Sequence, residues 1–207
     1  MRARTQRAIL DAAVRLFARQ GIGETAIHEI AAEADLSNGS FYNYFRTREE
    51  LVEAAGTRLA AELTDEISRM SVNVTDPAER VSIGSRRFML KAFEDPTWGA
   101  AVLRVWANTP LMARRVSDAA LSDLRSGRRR GRFRYDDERA AVDLLHGSVL
   151  AAMRTLLEGG ARADHAVNVA RLVLRGLGVP DEEAAAIARR PLPVEAPGPR
   201  VGEPRRK

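Results

Sequence analysis

Residues 25–45 read TAIHEIAAEADLSNGSFYNYF, and the fold turns on them. Ile27, Ile30, Ala31 and Ala34 fall at i, i+3, i+4 and i+7, one face of a helix about three turns long, with Thr25 as its expected N-cap and its end before Asp35. After the corner Asp35-Leu36-Ser37, a second short helix is expected from the Ser37 cap through Tyr44, anchored by Phe41 and Phe45 four residues apart. A short amphipathic support helix, a tight corner and a helix presenting polar groups have the dimensions of a helix-turn-helix. With Phe41 and Phe45 in the core, Asn38, Ser40, Tyr42, Asn43 and Tyr44 are left outside it. Asn pairs with adenine edges, Ser and Tyr hydroxyls donate to phosphates, and aromatic rings lie on sugars or thymine methyls, so this mixture fits a DNA groove. Gly39 is expected to let the helix come close to its neighbour or to backbone.

On the N-terminal side, Ile9, Ala13, Leu16 and Phe17 form one apolar stripe of a helix from Arg4 to Gln20, which Gly21 stops. On the other side, Thr47 with Glu50 three residues later is a capping-box signature for a helix starting at Arg48. Leu51, Ala55, Leu59, Leu63 and Ile67 continue it, and no proline intervenes before Pro77. About 24 residues of helix span roughly 36 Å, enough to link two domains. Asp76-Pro77, Asp95-Pro96 and Thr109-Pro110 each start a further helix, with Pro at the first helical position. Two more read from Asp136 to Glu158 and from Asp164 to Leu177, and Pro180 opens a short last one ending at Arg190. No strand pattern is found, so the expected class is all-α. The expected division is a helix-turn-helix domain over 1–46, a larger helical domain over 47–190 and a Pro-rich flexible tail over 191–207.

Composition bounds the chemistry. In 207 residues, 45% are hydrophobic and no sequence run approaches the roughly 18 apolar residues of a membrane span, so a cytoplasmic chain with no membrane partner is expected. The absence of cysteine removes disulfides, thiolate metal sites, iron–sulfur clusters and thiol nucleophiles. The basic residues are arginine except Lys91 and Lys207, and the net charge of +5 permits a polyanionic partner without demanding one. Residues 1–50 carry seven arginines and seven acids, so helix N-termini, hydroxyls and a few arginines, rather than bulk charge, would have to hold phosphates.

From Ala8 to Ala54 the chain resembles the DNA-binding domain of the TetR/AcrR family of bacterial transcriptional regulators. The likeness rests on the Leu16-Phe17 and Gly21 ending, Thr25, the Ile30-Ala31 pair, the Ser37-x-Gly39-x-x-Tyr42-x-Tyr44-Phe45 core, and Arg48-Glu49-Glu50-Leu51. It implies a homodimer whose third helices enter successive major grooves of double-stranded DNA at a near-palindromic operator, and a helical C-terminal domain that binds a small-molecule effector and dimerises. Phosphate contacts carried over from the family map onto Thr25, Ser37, Tyr42, Tyr44 and Arg48, and base contacts onto Asn38, Ser40 and Asn43. Asn38 departs from the Lys usual before Gly39, so one common phosphate cation is missing.

In the rest of the chain, the face of Val142, Leu145, Val149, Met153 and Leu156 lies beside Gly147, Ser148, Ala151 and Ala152, small residues that permit close helix approach. With Val169, Ala170, Val173 and Leu177 they are expected to form a four-helix dimer seam, the alternative being packing within one chain. Phe88, Met89, Phe93, Trp98, Trp106 and Met112 gather in the middle helices where the resemblance places an effector pocket, with His146 as a candidate polar contact. The arginines at 125, 128, 129, 130, 132 and 134 read as a helix end and a solvated loop. His28 with Glu24 supplies two ligands without a third, so no metal is expected, and no cofactor motif is found. No Gly-x-Ser-x-Gly, Walker loop or His-Glu-x-x-His occurs. The reading is a ligand-responsive regulator, not an enzyme, most simply a repressor released by a mostly apolar effector; the alternatives are a helical small-molecule carrier or an acid-based enzyme without DNA binding.

Overall fold

A computed structural model describes residues 2–160, 162 and 164–193, and the expected tail falls outside these residues beyond 193. Ten helices run in order among the described residues: α1 (Arg2–Gln20), α2 (Ile27–Glu33), α3 (Asn38–Tyr42), α4 (Arg48–Met70), α5 (Pro77–Glu94), α6 (Pro96–Trp106), α7 (Pro110–Arg129), α8 (Glu138–Leu157), α9 (Asp164–Gly176) and α10 (Asp181–Arg189). The class is all-α, with a helix-turn-helix at the N-terminal end and a larger helical assembly after it.

The local chemistry explains the starts. Asp76 accepts from the Ala78 N–H at 3.1 Å and Asp95 from that of Trp98 at 3.0 Å, each just before its proline. Thr47 accepts from the Glu50 N–H at 3.1 Å, while the Glu50 carboxylate reaches back to the Arg46 N–H at 2.8 Å. One start differs from expectation. Ala26, not Thr25, is the N-cap of α2, and the Glu29 carboxylate accepts the Ala26 N–H at 2.7 Å in place of a cap hydroxyl. Thr25 is 1% exposed and its hydroxyl donates to Gly21 O at 2.6 Å. α3 is shorter than the expected run to Tyr44, because Asn43 already closes it as C-cap.

α1 packs along α6, α2 and α4, and α4 continues onto α5, α6 and α7, so the apolar interior runs unbroken from Ile9 to Ile187. α5, α8 and α9 pack together, and α10 lies on α9 and α5. α8 corrects one sequence expectation: by length and a mean hydropathy of 1.3 it is apolar enough to cross a membrane. Its apolar side, Leu145, Val149, Met153 and Leu156, is buried within the chain. The arginine-rich stretch is the end of α7, as expected, and the turn after it, and together they make a clasp rather than a free loop. Arg125 forms a two-pronged pair with Glu138, Arg128 lies over the Tyr135 ring, and Arg132 pairs with Asp76 and Glu183 at 2.9 Å each. The hydrogen bonds to Asp76, against some cost of burial, push the Arg132 guanidinium above its ordinary value.

Candidate DNA-reading face and ligand cavity

The corner between α2 and α3 is built by backbone. Leu36 N–H returns to Ala31 O at 2.8 Å, which places Asp35 in the left-handed region at φ 58. This turn is usually made by glycine, and Asp is among the few other residues that tolerate it. Ser37 then caps α3: its Oγ accepts from the Ser40 N–H at 3.2 Å and lies 2.9 Å from the Ser40 hydroxyl. Phe41 and Phe45 are buried, as their spacing requires, with ring centroids 6.0 Å apart. This turns Asn38, Gly39, Tyr42 and Asn43 to solvent, Tyr42 being 52% exposed with its ring edge-on to Phe41. Tyr44 is half-buried against the core.

The residues expected on DNA therefore separate into groups. Ser37, Asn38, Gly39, Tyr42 and Asn43 share the open face of α3, and Ser40 stands half-buried beside them with its hydroxyl engaged at the cap. Arg48 sits close by, but one of its nitrogens donates to Gly23 O at 3.2 Å. Thr25 leaves the group, since its hydroxyl is buried and committed within the chain. Nothing lies within 4 Å of a Cβ built on Gly39, so packing within the chain does not require glycine there, contrary to the expectation of a close helix contact.

A cavity of about 290 Å³ opens between α4, α5, the end of α6, α7 and α8. Its wall is mostly apolar, with Ile67, Val81, Phe88, Trp106, Val116, Leu145, Val149 and Leu150. Of the expected pocket residues, Phe88, Trp106 and His146 line it. Met89, Trp98 and Met112 are buried core, and Phe93 is 48% exposed at the end of α5, so these four do not. Helical spacing marks a bulky residue as packed without saying against which side of its helix. The polar wall was not legible: Arg80 of α5 and Asp123 of α7 are 43 residues apart in sequence and meet at 2.5 Å, and Arg80 also donates to Ser71 O at 2.9 Å. Burial pushes the Asp123 carboxyl above the ordinary carboxylate range, and the hydrogen bond from Arg80 opposes that rise. His146 stands against Trp106, ring centroids 5.4 Å apart and edge-on. Burial lowers the pKa of its imidazole, with the charge of Asp143 pulling weakly the other way, and its buried Nε2 has no hydrogen-bond partner.

The expected dimer seam divides in two. Leu145 and Val149 face the cavity and Met153 is buried within the chain, whereas Ala152 and Val173, though little exposed, line the groove on the outward side. Ala151 is exposed, and Val142 and Val169 are half-buried. The outward side of α8 and α9 is a shallow groove lined by Leu144, Ser148, Ala151, Thr155, Val169 and Leu172, the last 60% exposed. Leu144 and Leu172 were missed because they stand one step around the helix from the strongest apolar stripe.

Comparison with known proteins agrees with this architecture. Residues 9–55 match the model of bacterial regulatory proteins of the tetR family, and residues 76–190 match that of the tetracyclin repressor-like C-terminal domain. The chain is similar to the crystal structure of RolR in complex with resorcinol, with 30% identity over 94% of this chain and 98% of that one, at a TM-score of 0.75. It is 33% identical over 81 residues to the nicotine-responsive transcriptional repressor HdnoR of Paenarthrobacter nicotinovorans, 39% of this chain and 40% of that protein. An uncharacterized HTH-type transcriptional regulator of Mycobacterium tuberculosis is 34% identical over 92 residues, 44% of this chain. The match spans about half of that relative, 46% of its length. FadR of Bacillus subtilis in complex with stearoyl-CoA, at 16% identity and a TM-score of 0.72, shares the fold. The chain belongs to the TetR family of helix-turn-helix transcriptional regulators.

Proposed function

We propose that this regulator is a homodimeric repressor, released from a near-palindromic operator when a small, neutral, mostly apolar effector enters the cavity. The observation that carries the effector reading is the unpartnered His146 Nε2 within a mostly apolar cavity. A buried ring nitrogen without a partner costs free energy, and a ligand hydroxyl or carbonyl would relieve that cost. The charges in the wall are already paired, Arg80 with Asp123, so an ionised ligand would find no free counter-charge among these groups. A volume of about 290 Å³ suits a molecule of one or two rings. Resorcinol in RolR is a neutral one-ring molecule of that kind, and nicotine, the cue named for HdnoR, matches in size though not in charge, its amine being largely protonated at neutral pH.

On the DNA side, Tyr42, Asn38 and Asn43 supply a phosphate-directed hydroxyl and base-directed amides, and Ser37 and Arg48 flank them. Two such faces must stand roughly 34–36 Å apart to reach successive grooves. An effector that favours another separation then releases DNA, and a coupling of about 1–3 kcal/mol gives a 5–150-fold response. The test is retardation of a duplex carrying the chain's own upstream region, titrated with resorcinol and with nicotine. Trp106→Ala should weaken release by whichever compound acts and leave operator affinity in its absence near wild type. A variant that loses thermal stability and DNA binding together would make Trp106 core and remove the cavity from the mechanism.

A further inference from the structure

Arg104 stands on α6 two residues before Trp106, in the wall of the cavity, yet its guanidinium turns to α1, which packs along α6. Its Nη1 donates to Phe17 O at 3.1 Å and to Ala18 O at 2.8 Å, in the last turn of α1. Phe17 O already accepts the Gly21 N–H at 3.0 Å, so Arg104 adds a second donor there, and a cation beside this turn also opposes the negative end of the helix dipole. Thr109, fully buried five residues further on, sends its hydroxyl back to Val105 O at 2.7 Å instead of capping α7. Its side chain presses on Gly56 of α4, where a Cβ would stand 2.9 Å from both Thr109 Cγ2 and Oγ1. The corner is stiffened by Asn108, whose N–H reaches Val105 O at 2.9 Å and whose side-chain amide reaches Arg104 O at 3.1 Å. Within residues 104–109 the chain thus touches α1, the cavity and α4.

We propose that Arg104 is a positioning residue that couples the state of the cavity to the placement of the helix-turn-helix, with the Thr109 and Gly56 contact as the second point of the same lever. This rests on the ligand-responsive reading above and deepens it. A displacement of Trp106 must carry the last turn of α6 with it, and two hydrogen bonds from one nitrogen to α1 leave little slack. Arg58, a second cation that ties α1 to a later helix, bonds Asp11 and Arg7 O from α4 and does not line the cavity, so it holds α1 without sensing Trp106. Coupling is reciprocal, so duplex bound at α3 must alter the surroundings of Trp106.

The experiment needs no identified effector. Trp98→Phe leaves Trp106 as the sole tryptophan of the full chain, which has two. A duplex selected from a randomised pool by the wild-type chain should shift the emission of Trp106 and its quenching by acrylamide. Adding Arg104→Gln should abolish that shift while the duplex is still bound and the urea midpoint is kept, and Arg104→Lys should restore it. A shift that persists in Arg104→Gln, or none in the Trp98→Phe parent, overturns the proposal. So does an Arg104→Gln chain that loses its urea midpoint and its duplex together, since Arg104 then serves stability. A wild-type chain that selects no duplex overturns the DNA reading itself, and this proposal falls with it.

Discussion

His146 shows how much one side chain can decide. Its ring is edge-on to Trp106, its Nε2 is buried without a partner, and burial favours the neutral form, so the folded chain takes up a proton less readily than the unfolded chain, whose ordinary value is 6.5. As pH falls below 6.5 the unfolded state binds the proton first, and stability is lost from there down to the lower folded value. Urea midpoints compared at about pH 7.5 and about pH 5.5 should therefore fall in the acid sample, and His146→Gln should flatten this difference. An undiminished difference in that variant assigns the pH dependence to other groups. Asp76 acts lower on the scale. Burial alone would raise its carboxyl, but the hydrogen bonds from Arg132 and the Ala78 N–H hold it below the usual 3.8, so its contribution persists at neutral pH and is lost only in strong acid.

The elements were legible where chemistry is local. Asp76, Asp95 and Thr47 announce their helices as caps, and the prolines at 77, 96 and 110 fix the starts, because cap hydrogen bonds and the proline ring act within three residues. The spacing of Phe41 and Phe45 likewise fixes which side of α3 faces out. What depends on partners distant in sequence was not legible. Nothing near Arg80 announces Asp123, nothing in α8 says that Leu145 faces a cavity while Ala151 faces solvent, and Thr25 gave way as cap to Ala26 because its hydroxyl found Gly21 O. The end of α7 offers a test at this scale. Gly127 O accepts from both the Arg132 and Phe133 N–H groups, and a Cβ on Gly127 would stand 2.1 Å from Phe133 Cδ2. Gly127→Ala should cost about 1–3 kcal/mol by displacing the Phe133 ring from the core, read as a lowered urea midpoint. A midpoint within error of wild type would mean that Phe133 yields freely and that the turn holds without it.

For the molecule as a whole, a single helix-turn-helix reads one half-site, and an operator two-fold requires a second copy. We propose the outward groove of Leu144, Ser148, Ala151 and Leu172 as the face for it, and the exposure of Ala151 makes a clean probe because its change disturbs no core contact. Ala151→Arg should give monomers by light scattering, with the monomer's helical content intact and operator affinity reduced. A variant that remains dimeric and binds as wild type moves the interface elsewhere.

Whether paired α3 helices read DNA from their Asn38, Tyr42 and Asn43 face is decided by hydroxyl-radical footprinting of the full chain on its selected duplex. Two symmetric protected patches are expected, their centres about 10–10.5 base pairs apart, or a multiple of that, as two-fold docking in successive grooves requires. Asn43→Ala should change the preference at one base pair per half-site by about 1–3 kcal/mol without moving the patches. A single patch, or a footprint and base preference identical in Asn43→Ala, Asn38→Ala and Tyr42→Phe, would show that this face does not read DNA in the way described.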